Sequence, residues 1–128
     1  MARSIERYLR MMPKSVGMRA SGRLWCPSAD VYHSRDGWIV KVELAGVSPD
    51  EVEVELSGSS LAIRGCRRDT VCKDGMTCQQ LEITYSRFEK TIHFPCHIEG
   101  ARMETDYRDG LLIIVLRGPQ NEREQREF

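Results

Sequence analysis

The stretch Trp38-Ile-Val-Lys-Val-Glu-Leu-Ala-Gly-Val-Ser-Pro-Asp-Glu-Val-Glu-Val-Glu-Leu56 decides the fold. In its first half Trp38, Val40, Val42 and Leu44 alternate with Ile39, Lys41 and Glu43. In its second half Val52, Val54 and Leu56 alternate with Glu51, Glu53 and Glu55. A period of two sends successive side chains to opposite faces, so each half predicts a β-strand with one face on a core and one in water. Ala45-Gly46 ends the first strand. The glutamate row reads as a solvated face or an edge guard rather than as paired catalytic carboxylates.

Outward from there the same period recurs. Ser57-Gly58-Ser59 turns the chain, and Leu61 and Ile63 carry a short strand to Gly65. Leu81, Ile83 and Tyr85 alternate, followed by Phe88, Ile92 and Phe94 up to Pro95. Met103, Thr105 and Tyr107 give a weaker strand, and Asp109-Gly110 is a hairpin signal. The run from Leu111 to Leu116 is apolar at nearly every position, which predicts burial on both faces. Seven or eight short strands with turns every eight to twelve residues or so, and no helical period over 29–118, specify an all-β, immunoglobulin-like sandwich. The exception is 66–80, a polar stretch holding Lys73-Asp74-Gly75. It is long for a hairpin loop, and such a loop in a compact domain usually has a job.

The chain has 128 residues, 41% hydrophobic and 30% charged, enough for one domain with a real core. We divide it into an N-terminal arm (1–26), the sandwich (27–118) and a charged C-terminal tail (119–128). Nineteen basic and nineteen acidic residues balance to zero, which argues against a nucleic-acid module. The balance is local, however. Residues 1–28 hold Arg3, Arg7, Arg10, Lys14, Arg19 and Arg23 against Glu6 alone. This basic segment reads as an adhesive arm or a transit peptide, with no apolar core for a secretory signal. Ile5, Tyr8, Leu9 and Met12 predict a short amphipathic helix over 3–12, stopped by Pro13. No apolar run reaches the roughly 18 residues of a membrane helix, and stable membrane association is not expected. The five cysteines, Cys26, Cys66, Cys72, Cys78 and Cys96, read as reduced thiols of a cytoplasmic protein.

A search for chemistry returns little. Gly17 and Gly22 have Walker-like spacing, but Arg23-Leu24 follows where Lys-Ser/Thr is required. Cys66, Cys72 and Cys78 repeat every six residues, whereas zinc ligands pair two to four apart or so. His93 and His97 with Cys96 are interrupted by Pro95, and His93 falls on the solvent face of its strand. No nucleophile sits beside an oriented base, so neither catalysis nor a cofactor is expected. The three loop cysteines are expected to be exposed and Cys96 to be partly packed.

Five stretches, in order, resemble the α-crystallin domain of small heat-shock proteins, notably bacterial and archaeal ones. They are Pro27-Ser-Ala-Asp-Val-Tyr32; Val42-Glu-Leu-Ala-Gly-Val47 with Ser48-Pro-Asp-Glu-Val52; Leu61-Ala-Ile-Arg-Gly65; Glu82-Ile-Thr-Tyr-Ser-Arg-Phe-Glu-Lys-Thr-Ile-His-Phe-Pro95; and Thr105-Asp-Tyr-Arg-Asp-Gly-Leu-Leu112. Ala45 stands where the family has Pro, Lys90 where it usually has Arg, and Thr105 where it has Ala. The family's C-terminal Ile-x-Ile/Val motif is replaced by Gln120-Asn-Glu-Arg-Glu-Gln-Arg-Glu-Phe128.

The resemblance implies an ATP-independent holdase that binds partly unfolded clients and uses no cofactor. It implies that loop 66–80 hands a short strand to a partner, with Thr77, Cys78, Gln79, Gln80, Leu81 and Lys90 at the interface of a homodimer. Without the C-terminal motif, dimers or small assemblies are expected. Met11, Met12, Leu24 and Trp25 of the arm are candidate client contacts. So is the groove edged by Val52, Val54 and Leu56 on one side and Met103 and Thr105 on the other. The rival reading is a CS-domain co-chaperone that docks on one larger chaperone and lacks the exchange loop. A third is redox gating through Cys66, Cys72 and Cys78.

Overall fold

A computed structural model describes residues 25–118. The expected 3–12 helix, the arm residues Met11, Met12 and Leu24, and the tail from Pro119 lie outside the described residues. Seven strands form in chain order: β1 Ala29–Ser34, β2 Gly37–Glu43, β3 Glu53–Ser57, β4 Ser60–Cys66, β5 Arg87–His93, β6 Arg102–Arg108 and β7 Leu111–Arg117. A single 3₁₀ turn, Pro49–Glu51, separates β2 from β3. The strands make two antiparallel sheets, ordered β1-β2-β7-β6 and β3-β4-β5. The all-β sandwich predicted from the period of two is therefore the observed architecture.

The core is built from the inward half of each alternation. Trp38, Val40 and Val42 of β2 meet Leu112, Ile114 and Leu116 of β7 from one sheet, and Leu61, Ile63, Phe88 and Ile92 from the other. Each such burial is worth about 1.5–3 kcal/mol. Trp38 rests edge-on against Phe94, with ring centroids 5.1 Å apart, and His33 stacks on its other side at 4.1 Å.

Two motifs of the sequence acquire physical reasons. Gly65 faces Phe88 in the β4–β5 register. A Cβ at Gly65 would lie 2.6 Å from Phe88 Cζ, so the glycine makes the seat for that ring. Asp109 and Gly110 both take positive φ, 54° and 77°, as a tight two-residue hairpin turn requires.

Three expectations need correction. The β7 run is not buried on both faces: Leu112, Ile114 and Leu116 are buried, while Leu111, Ile113 and Val115 are half-buried. Flanking strands β2 and β6, not a second layer, shade its outward side. Residues 81–85 form no strand, because no described edge lies alongside to pair with them. The loop therefore runs over 67–86. Finally, of the three cysteines expected to be exposed only Cys78 is: Cys72 is half-buried, and Cys66 is not a loop thiol at all. It closes β4 with its side chain buried, since Gly65–Cys66 stays paired with β5 to the end of the ladder.

Candidate functional site

Every sheet has two ends, and an end strand leaves one row of backbone donors and acceptors open. Among the described residues, β1 pairs with β2 alone, β3 with β4 alone and β6 with β7 alone. The β5 edge is different. Trp25 makes a parallel bridge to Phe88, and its N–H donates to the Arg87 carbonyl at 3.2 Å. Trp25 also packs edge-on against the Phe88 ring at 5.4 Å. This arm residue, a candidate client contact, is thus half-buried against the body.

The candidate groove residues sit where alternation puts them. Val52, Val54 and Leu56 are half-buried and pack on the core from β3 and the residue before it. On β6, Met103 and Thr105 are exposed while sharing the inward side with half-buried Tyr107. The Tyr107 hydroxyl donates to the Leu44 carbonyl at 2.8 Å, fixing β6 to the end of β2. Two open edges therefore carry apolar side chains that the core covers only in part. Outward from them, Arg64 reaches Glu55 at 3.1 Å and Glu89 at 3.2 Å across the second sheet. Burial alone would lower the Arg64 pKa, but its bonds to Glu55 and Glu89 outweigh that and raise it.

The other candidate residues lie in the 67–86 loop. Thr77, Cys78, Gln79, Gln80 and Leu81 are all exposed. Lys90 is elsewhere, half-buried on β5 and paired with Ile63 on the side that faces the core. Val71, Met76, Leu81 and Ile83 of the loop are each more than half exposed. Across the sandwich, Val31 and Tyr32 of the open strand β1 are also exposed.

Sequence reasoning missed the residue that anchors the loop. The Arg67 guanidinium donates from Nε and Nη2 to the Thr84 carbonyl, at 2.9 and 2.7 Å, and from Nη1 to the Ala45 carbonyl at 3.3 Å. Its plane lies over the Trp25 ring, with Cζ 3.6 Å from the centroid. The Arg67 N–H closes the loop base on the Ser86 carbonyl at 2.9 Å. One side chain thus ties together both ends of the loop, the incoming chain and the β2–β3 turn. Nothing in a run of polar residues marks Arg67, because its partners Thr84, Ala45 and Trp25 are remote in sequence.

No group of three or more metal-ligating side chains occurs among the described residues. His93 bonds Ser60 Oγ at 3.0 Å on the outward face, with no carboxylate behind it in that contact.

The Hsp20/alpha crystallin family matches residues 30–127. The chain belongs to that family. Its members are non-enzymatic chaperones. Heat shock protein 16 of Schizosaccharomyces pombe is 32% identical over 102 residues, covering 77% of this chain and 69% of that protein. Small heat shock protein C4 of Rickettsia felis is 22% identical over 96 residues, 75% of this chain and 59% of that protein. The chain thus spans 59–69% of the length of these two relatives, which come from a eukaryote and a bacterium. The solved Heat shock protein 16.0 from Schizosaccharomyces pombe superposes with a TM-score of 0.66 at 29% identity, over 73% of this chain and 86% of that one. The hspA of Xanthomonas axonopodis shares the fold, with a TM-score of 0.62 at 22% identity over 74% and 95% of the two chains. The comparisons lend no support to the CS-domain co-chaperone reading. Among the described residues no helix is long and apolar enough to cross a membrane.

Proposed function

We propose that this small heat-shock protein works as an ATP-independent holdase, catching partly unfolded clients on its open edges and doing so as a strand-exchanged homodimer. One observation supports the reading above the rest. The large apolar side chains that this sandwich leaves exposed are Val31, Tyr32, Val71, Met76, Leu81, Ile83 and Met103, and all lie on end strands or in the loop. Partly unfolded proteins present apolar surface and unpaired strands. An open edge with half-covered apolar residues can accept an extended segment by strand addition.

In this reading the client surface is the inward side of β3 and β6, Val52, Val54, Leu56, Met103 and Thr105, joined by Met11, Met12 and Leu24. Trp25 serves to seat the arm. Residues 77–81 cross to the open β1 edge of the partner, covering Val31 and Tyr32 and removing two exposed edges at once. The odd number of cysteines, with a buried thiol at Cys66, supports a reducing compartment such as the cytoplasm.

The test is light scattering from a thermolabile client heated with and without the protein. Suppression at near-equimolar subunit ratios, unchanged by added ATP, is expected. A Val54→Asp/Met103→Asp double variant should lose most of it. Full client aggregation in tenfold excess of the wild-type chain would refute the holdase reading.

A further inference from the structure

We propose that Cys72 and Cys78 are a hydroperoxide-oxidised dithiol whose intrachain disulfide withdraws the 77–81 segment from the partner subunit. This rests on the strand-exchange reading above. The two Sγ atoms lie 3.7 Å apart in the loop, Cys78 exposed and Cys72 half-buried. A disulfide needs about 2.05 Å, so the sulfurs must close by less than about 2 Å.

The local chain brings them together. Asp69 Oδ1 accepts from the N–H groups of Val71 at 2.9 Å and Cys72 at 3.2 Å, which holds the first cysteine. The Met76 N–H donates to the Lys73 carbonyl at 3.2 Å, and Gly75 takes φ +90°, so the chain reverses between the two thiols. Cys66 is a poor competitor. Burial pushes its thiol up, against a smaller opposing pull from Arg68, and so lowers its thiolate fraction.

The chemistry balances with one peroxide. A thiolate attacks a peroxide oxygen, the O–O bond breaks, and a sulfenic acid forms with release of water. The second sulfur then attacks the sulfenyl sulfur and expels a second water. Two thiols lose two protons and two electrons, and hydrogen peroxide takes up both to become two waters.

The consequence for assembly is a matter of reach. Extended chain covers about 3.3–3.6 Å per residue, so the six steps from Cys72 to Cys78 can span roughly 20 Å. Once bonded, their Cα atoms stay within about 7 Å. The tie lies inside the loop and takes in Thr77 and Cys78, the first two residues of the exchanged segment. Oxidation therefore shortens the reach of the segment toward the partner, which is how the disulfide withdraws it.

The experiment compares full-length protein, reduced and after hydrogen peroxide, by peptide mapping and sedimentation equilibrium. A Cys72–Cys78 cross-link is expected, with the dimer dissociation constant raised at least tenfold and restored by dithiothreitol. Cys72→Ser and Cys78→Ser should each remain dimeric and indifferent to peroxide. Absence of the cross-link, or a cross-link that leaves the dissociation constant of the dimer unchanged, overturns the proposal. A Leu81→Asp variant separates the two readings. If it dimerises as tightly as wild type, strand exchange fails and the disulfide has no segment to withdraw. If it weakens the dimer while peroxide does not, the redox proposal alone fails.

Discussion

The β2–β7 pair and residues 81–85 at the end of the loop share an apolar pattern and meet opposite fates. Both carry apolar side chains at a period of two. Trp38, Val40, Val42, Leu112, Ile114 and Leu116 are buried, whereas Leu81 and Ile83 stand in solvent. The difference lies in neighbours. β2 and β7 each have a strand on both sides and a second sheet beneath, while 81–85 has no described strand to pair with. Alternation tells which residues want a partner surface. It does not tell whether that surface belongs to the same chain.

The comparison can be broken first at the core. Phe88→Ala removes the ring seated on Gly65 and flanked by Trp25, and should cost about 3–5 kcal/mol in chemical denaturation. Arg67→Ala comes next. It deletes three hydrogen bonds from a charged donor at the loop base, with an expected loss of about 1.5–3 kcal/mol. Arg67→Lys should fail to restore it, because an ammonium lacks the planar fork and the stacking face. A fully rescued Lys variant would mean that charge alone anchors the loop. Arg64→Ala breaks two half-exposed ion pairs and should cost no more than about 1 kcal/mol, with the difference shrinking as salt is raised. Smallest of all in the stability of a single subunit is Leu81→Asp, within about 0.5 kcal/mol of wild type by calorimetry below the dimer dissociation constant, since within its own subunit the side chain touches solvent already. If Leu81→Asp destabilises the fold as much as Phe88→Ala, the loop is core and the contrast fails.

Much of the fold was legible because antiparallel strands with one wet face declare themselves residue by residue. Val40, Val42, Leu61 and Ile63 are buried where alternation placed them, and Asp109-Gly110 turns where its φ preferences allow. Leu111–Leu116 misled because a strand flanked on both sides tolerates apolar residues on an outward face without a layer above it. Cys66 misled because its polar successors, Arg67 and Arg68, pulled the boundary of the loop back by a residue. Alternation also placed the candidate groove residues on the inward side of β3 and β6. Arg67 could not be named from sequence, since its tethers are set by folding, and the approach of Cys72 to Cys78 depends on two turns within the loop.

The order of the strands has a consequence during synthesis. The middle of the larger sheet is β2 beside β7, the second and the last strands of the described chain. On the ribosome, Trp38, Val40 and Val42 emerge early and wait for Leu112, Ile114 and Leu116. Pairings this distant in sequence fold slowly, on the order of milliseconds to seconds. Until release of the last strand, the nascent chain shows the same kind of half-finished sheet that the proposed function would have it meet in others.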